Sequence, residues 1–87
     1  MSKEELNKFV EILKRLQPIF RNILRAPELD LALELSPTQI PSWDSLNHLS
    51  LIISIESEFN IRFSTEEIIQ IKSVKDFCQI IANNLKS

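Results

Sequence analysis

The sequence predicts an all-α fold, a four-helix bundle of three long helices and one short helix, with a long loop between the first two helices. Three observations predict it. Apolar residues recur at helical spacing, serines stand before several apolar stretches as helix N-caps, and prolines gather between residues 26 and 43. The chain of 87 residues has the length of one small domain, so we assign residues 1–87 to a single domain.

The first predicted helix is amphipathic and precedes the proline-rich segment. Ser2 is its expected N-cap, with Glu5 as the partner in a capping box. Pro18 lacks a backbone donor and would bend or break the helix, and the unbroken phase of the apolar pattern favours a bend. We expect Pro27 to end the helix. The predicted core stripe is Leu6, Phe9, Val10, Leu13, Leu16, Phe20, Ile23 and Leu24.

The connection over residues 26–43 shows no sustained period and contains three prolines. Ser36 and Gln39 flank a capping-box pattern with Pro37 at the first helical position, which predicts a single helical turn. A connection of this length in a small domain often has a function.

The second predicted helix covers residues 46–59 and is the most apolar part of the chain. Its length and its three- and four-residue apolar spacings favour a helix over a strand, despite many isoleucines. Apolar residues occupy more than half of its circumference. It is therefore a central helix, or it leaves apolar surface free for a ligand or partner.

Two further helices complete the predicted bundle. Ser64 and Glu67 form a capping box that begins a short helix, and Ser73 caps the last helix. The stripe of the last helix is Val74, Phe77, Ile80, Ile81 and Leu85.

Composition excludes several classes of function. Glycine is absent, which disfavours glycine-rich phosphate loops and dinucleotide fingerprints. The single cysteine, Cys78, and the single histidine, His48, cannot supply a catalytic triad or a multi-cysteine metal site. Glu66 and Glu67 are adjacent and do not share a helix face as an acid/base pair. We therefore expect a protein that is not an enzyme and that has no metal site.

Charge and hydropathy limit the kinds of partner and the compartment that we expect. The net charge is −2, with a basic segment over residues 1–27 and an acidic remainder. The basic charges interleave with an apolar stripe, so a solvated helix face explains them better than a nucleic-acid surface does. No secretory signal and no apolar run of membrane-spanning length is evident. These features predict a cytoplasmic monomer that neither inserts into a membrane nor binds nucleic acid.

Ser45 is the most informative residue because it stands at the start of the apolar helix, between Asp44 and Leu46. A hydroxyl at a helix N-terminus is exposed and can carry an anionic group. This position suggests a serine modified by another enzyme. The simpler alternative is that Asp44 or Ser45 only caps the helix, and the two roles are compatible. His48 stands where a capping box would have glutamate or glutamine.

The segment from Trp43 to Ile81 closely resembles the acyl carrier proteins, of the stand-alone type. The resemblance rests on Asp44-Ser45-Leu46 entering a helix, on the helix end Glu56-Ser57-Glu58-Phe59-Asn60 and on the following Ile61-Arg62-Phe63. It also includes the acidic short helix from Ser64 and the Ser73-Val74 start of the last helix. It covers about half of the chain and implies that residues 1–87 are one acyl-carrier-like domain.

The resemblance implies that Ser45 is the attachment point of 4′-phosphopantetheine, taken from coenzyme A. A phosphopantetheinyl transferase would join the two with Mg²⁺, and Asp44 would help that enzyme to recognise the carrier. The thiol of the arm would hold acyl groups as thioesters in a fatty-acid-related or specialised biosynthetic pathway. The other implied partners are acyl-loading, acyl-transferring or synthase enzymes.

The resemblance also implies a partner-facing helix, on which Leu46, Ile53, Glu56 and Glu58 would contact these enzymes. This helix departs from that of fatty-acid carriers because Asn47, Ser50 and Ser57 are neutral where acidic residues are common. Fewer charges weaken steering toward basic partners. Two alternatives remain: a peptidyl or aminoacyl carrier with the same arm, and a helical interaction module without a prosthetic group.

Overall fold

The computed structural model describes residues 3–85, and all of its regular elements are helical. They form a four-helix bundle with a long loop after the first helix, which confirms the predicted fold class. The expected N-cap Ser2, and the side chains of Glu5 and Leu6, lie outside what the structure describes. The elements are α1 (Lys3–Ile23), a 3₁₀ turn (Pro37–Gln39), α2 (Ser45–Phe59), α3 (Thr65–Gln70) and α4 (Val74–Asn84).

Helix α1 is continuous through Pro18, so the proline does not break it. Its buried stripe differs from the predicted one. Ile12 is buried although the predicted stripe omits it, Val10 is 40 % exposed, and Leu13 and Ile23 are only partly buried. The difference arises because most buried residues of this stripe are four positions apart, whereas the prediction alternated steps of three and four. Steps of four keep the side chains in contact with the bundle along this helix. The buried residues are Phe9, Ile12, Leu16, Phe20 and Leu24.

The end of α1 is set by Arg25, and the expectation that Pro27 ends the helix is wrong. Arg25 adopts a left-handed conformation with φ of 54°. The Ala26 N–H donates to the Arg21 carbonyl at 3.0 Å, and the Leu24 N–H donates to the Phe20 carbonyl at 2.9 Å. The bond from Ala26 to Arg21 is that of a Schellman motif, which terminates the helix before the proline is reached.

The predicted caps of α3 and α4 are confirmed. The Ser64 N–H donates to Glu67 Oε1 at 2.8 Å, and the Glu67 N–H donates back to Ser64 Oγ at 3.1 Å. The Asp76 N–H donates to Ser73 Oγ at 3.4 Å at the start of α4. Because these bonds join residues three positions apart, the sequence pattern alone is enough to locate both helix starts.

The long loop between α1 and α2 is tied to the bundle at both ends. The Arg21 Nε donates to the Leu29 carbonyl at 2.7 Å. Farther along, the Leu33 carbonyl accepts the Lys75 N–H and the Leu35 carbonyl accepts the Val74 N–H, both at 2.9 Å. The loop thereby satisfies two of the backbone donors that the first turn of α4 leaves free. The predicted helical turn is present, and the Ser36 N–H donates to Gln39 Oε1 at 3.0 Å.

The core is built around aromatic rings at one end of the bundle. Phe77 of α4 lies in edge contact with Phe20 of α1 and with Phe63 after α2, at centroid distances of 5.8 and 6.1 Å. Cys78 is buried beside Phe77, and this burial raises the pKa of its thiol to about 12. Leu85, predicted to be part of the stripe of α4, is instead 43 % exposed. Within residues 3–85, no helix is both long and apolar enough to cross a membrane.

Candidate functional site at the start of helix α2

Ser45 is the first residue of α2, and its side chain is exposed. The helix begins there because Asp44 is an extended N-cap whose Oδ1 accepts the Asn47 N–H at 2.9 Å. The Asp44 carbonyl accepts the His48 N–H at 2.8 Å, which closes the first turn. Asp44 is thus the cap, and the hydroxyl of Ser45 is held at the positive end of a helix of 15 residues.

The chain before Ser45 is fixed to the helix by a second bond. Asn47 Nδ2 donates to the carbonyl of Ser42 at 2.7 Å. Together with the cap, this bond connects both sides of Ser45 to the first turn of α2. The approach of the backbone to the serine is therefore set by local hydrogen bonds.

Trp43 anchors the same segment in the core and is only 3 % exposed. Its Nε1–H donates to His48 Nδ1 at 3.0 Å, and the two rings stack with an interplanar angle of 24°. Phe20 contacts the indole edge-on at 5.4 Å, and Phe77 stacks on it at 6.3 Å. The sequence analysis did not identify this pair, for which the only signal is a tryptophan five residues before a histidine.

His48 is half-buried, and its environment favours the neutral imidazole. Burial lowers the pKa of His48 from 6.5, while a hydrogen bond with the Ile68 backbone opposes that shift. The Nδ1 atom accepts the hydrogen bond from Trp43 and therefore carries no proton in this arrangement. His48 thus joins α2 to the segment that precedes Ser45.

An open pocket of about 500 Å³ lies directly beside Ser45. Asp44 and Ser45 form its polar rim, and most of its wall is apolar or aromatic. The pocket runs from the 3₁₀ turn across α2 to the C-cap of α3, so three elements contribute to it. The other lining residues are Pro37, Trp43, His48, Leu49 and Ile71.

The four residues expected to contact partners differ in their surroundings. Leu46 and Ile53 are 74 % and 66 % exposed. Glu56 is half-buried, and its Oε2 accepts the Phe63 N–H at 2.9 Å. Glu58 Oε2 accepts a bond from Arg15 Nη2 of α1 at 3.1 Å. The two carboxylates therefore hold parts of the fold together, whereas the two apolar residues have free surface.

The exposed face of α2 includes a residue that the sequence analysis did not single out as a contact. Leu49 is 53 % exposed and follows Leu46 by three positions, so the two side chains are neighbours. No group of three or more histidine, cysteine, aspartate or glutamate side chains within residues 3–85 is arranged to hold a metal ion.

Comparison with known proteins gives consistent relatives. The chain is 33 % identical over 75 residues to an acyl carrier protein of Coprothermobacter proteolyticus, covering 86 % of this chain and 92 % of that protein. It is 32 % identical over 73 residues to an acyl carrier protein of Acidothermus cellulolyticus, covering 84 % and 87 %. The solution structure of holo acyl carrier protein from Geobacter metallireducens matches with a TM-score of 0.79 and 36 % identity over 84 % of each chain. No family model matches the sequence.

Proposed function

The chain belongs to the acyl carrier protein family, and from this premise we propose that it carries acyl intermediates as thioesters on a 4′-phosphopantetheine arm attached to Ser45. Proteins of this family are carriers and not enzymes. We assign the cargo to the acyl intermediates of a fatty-acid-related or specialised biosynthetic pathway, and the compartment to the cytoplasm.

The observation that carries the proposal is the exposed hydroxyl of Ser45 on the first residue of α2. In the transfer step, Ser45 Oγ attacks the phosphate of coenzyme A that bears pantetheine. The Oγ–P bond forms, the pyrophosphate P–O bond breaks, adenosine 3′,5′-bisphosphate leaves, and the hydroxyl proton passes to a base of the transferase. Mg²⁺ and coenzyme A enter the reaction with the transferase. This chain needs only to present the nucleophile.

The surroundings of Ser45 fit a phosphopantetheine group in two respects. The first turn of a helix carries N–H groups without intrahelical partners and a positive dipole end, which stabilise a phosphodiester. The pocket beside Ser45 has an apolar wall that includes Leu49 and Ile71 and can shelter the arm or the start of an acyl chain. The thiol of the bound arm supplies the thioester chemistry.

The side chains around Ser45 have distinct roles in this proposal. Asp44 fixes the start of α2 through Asn47 and gives the transferase a carboxylate beside the reacting hydroxyl. Leu46 and Ile53 offer apolar surface to the transferase and to acyl-loading, acyl-transferring or synthase enzymes. Glu56 and Glu58 contribute by shaping the end of α2, through Phe63 and Arg15 respectively, and Glu58 keeps half of its surface free for a partner.

Mass spectrometry of the intact protein tests the proposal. The purified chain is incubated with coenzyme A, Mg²⁺ and a promiscuous phosphopantetheinyl transferase. We expect a mass increase equal to one phosphopantetheine group in the wild type and none in Ser45→Ala.

Ser42→Ala is the matched control because Ser42 lies three residues before Ser45 and contributes only its backbone carbonyl to the bond with Asn47. This variant should gain the same mass as the wild type. No mass gain in the wild type, or an equal gain in Ser45→Ala, would overturn the proposed function.

A further inference from the structure

Within α2 itself, the residues that follow Ser45 carry no formal charge, and the N-cap Asp44 is the acidic side chain at this end of the helix. From Ser45 to Ile55 the helix contains only serine, asparagine, leucine, isoleucine and His48, whose lowered pKa favours the neutral form. The first acidic residue of the helix is Glu56, and the next is Glu58. The first three turns of the helix are therefore electrically neutral on every face.

The two acidic residues at the far end of α2 are engaged within the fold. Glu56 accepts the Phe63 N–H at 2.9 Å and belongs to the connection toward α3. Arg15 donates to both the side chain and the backbone carbonyl of Glu58, and its guanidinium lies 4.0 Å from the centroid of the Phe59 ring. The positive charge of Arg15 offsets that of Glu58, while Glu56 keeps its charge and is half-buried at the far end of the helix.

The neutral part of α2 instead carries exposed apolar side chains. Leu46, Leu49 and Ile53 are between 53 % and 74 % exposed, and we call these three residues the apolar ridge. Their spacing of three and four positions brings them onto one side of the helix. Ser50 lies on the same side, four positions after Leu46, and its hydroxyl bonds back to the Leu46 carbonyl at 3.3 Å.

We propose that the enzymes acting on this carrier bind the apolar ridge with an uncharged, apolar surface. Their affinity for the carrier is therefore nearly independent of salt concentration. The inference rests on the proposed function, because an enzyme that reaches Ser45 must cover the neighbouring turns of α2. Beyond Asp44, a basic partner surface would find no acidic side chain within the first three turns of α2 to compensate for its desolvated cations. An apolar surface matches what the helix exposes there.

Steady-state kinetics of arm transfer test this inference, with the transferase as the partner and the apo-protein as the varied substrate. Between about 50 and 400 mM NaCl, the wild-type KM should change by less than about threefold, since screening acts on exposed charges. Leu46→Ser and Ile53→Ser should each raise KM by about tenfold, the scale of truncating a central interface contact. Val10→Ser, which removes a partly exposed apolar residue on α1, is the control and should leave KM unchanged.

In the Ser50→Glu variant, the direction of the change in KM distinguishes an apolar partner surface from a basic one. A carboxylate beside the apolar ridge should raise KM if the partner surface is apolar, and should lower it if the partner surface is basic. A lower KM for Ser50→Glu, or a KM of the wild type that rises steeply with salt, would overturn this inference. The carrier function would stand in that case, because the arm would still be transferred; only a failure of all transfer counts against the proposed function.

Sedimentation equilibrium tests the alternative that a second copy of the chain, and not an enzyme, binds the apolar ridge. We expect a monomer for the wild type and for Leu46→Ser at micromolar concentrations. A wild-type dimer that dissociates in Leu46→Ser would assign the apolar ridge to self-association and would overturn the inference.

Discussion

At the scale of single residues, the position of Ser45 depends on the side chains of its neighbours in the chain. Asp44 and Asn47 fix the backbone on both sides of the serine by local hydrogen bonds. Trp43 fixes the same segment from the core, because its ring packs against Phe20 and its Nε1–H donates to His48. A histidine in this place makes the contact sensitive to protonation.

Stability should fall on mild acidification because of His48. Burial lowers its pKa in the folded state below the unfolded value of 6.5, so the unfolded chain binds more protons between these two pKa values. The contribution of neutral His48 is therefore fully present above about pH 6.5 and is lost as pH falls through the folded pKa. Urea unfolding between pH 7.5 and 5.0 should show this decrease in the wild type.

His48→Asn is the control for this prediction, since asparagine does not titrate in this range. We expect the variant to be less stable at neutral pH and to show a flatter dependence of stability on pH. Equal losses in the wild type and the variant between pH 7.5 and 5.0 would assign the decrease to other groups.

At the scale of the helices, the absence of glycine makes the helix ends distinctive. Helices commonly end with a residue in the left-handed conformation, and glycine adopts it without steric cost. This chain uses Arg25 after α1 and Asn60 after α2, each with φ of 54°. Asparagine tolerates that conformation better than arginine does, so the strain is greater at Arg25.

Arg25→Gly should therefore stabilise the protein by about 1 kcal/mol, the scale of the left-handed penalty for a residue with a Cβ atom. Arg25→Ala is the matched control because it removes the same exposed side chain and keeps the Cβ atom. Urea denaturation of the three proteins measures the difference. If Arg25→Gly were no more stable than Arg25→Ala, the left-handed φ would not be the source of the strain.

The helices themselves could be predicted from the sequence because their signals are local. The capping boxes at Ser64 and Ser36 join residues three positions apart, and both are present. The end of α1 could not be predicted, since no residue type marked Arg25 as left-handed. The burial of Ile12 and the exposure of Leu85 depend on which neighbours each helix meets, which the pattern along one helix does not contain.

The site was predictable to a similar degree. The segment Asp44-Ser45-Leu46 pointed to an exposed hydroxyl at a helix start, and the hydroxyl is exposed there. The bond between Trp43 and His48 was not predicted, because it forms only where Phe20 and Phe77 from distant elements enclose the indole. The pocket likewise requires the loop, α2 and α3 to meet.

At the scale of the whole molecule, the apolar ridge and the open pocket both lie along the helix that begins at Ser45. An acyl chain would be sheltered along the aliphatic side of residues 49–55 only if that side of α2 were open. Ile52 and Ile55 on that side are buried, as are Phe63 and Ile71. The pocket of about 500 Å³ beside Ser45 borders this region, since Leu49 and Ile71 line its wall.

Stability should therefore depend on the length of the attached acyl chain. A chain that enters the pocket is sheltered only in the folded state, so each buried methylene should add up to about 0.8 kcal/mol to the free energy of unfolding. For a domain of this size, 1 kcal/mol corresponds to a rise in Tm of about 4–8 °C. Thermal unfolding of the holo-protein and of forms carrying acyl chains of two, four, six and eight carbons should show Tm rising with length and then levelling, because the pocket is finite and the core behind it is packed. The holo-protein without an acyl group is the reference. Leu49→Ser should reduce the rise in Tm with chain length because it makes the pocket wall polar. A Tm that does not change with chain length would mean that the acyl chain stays in solvent.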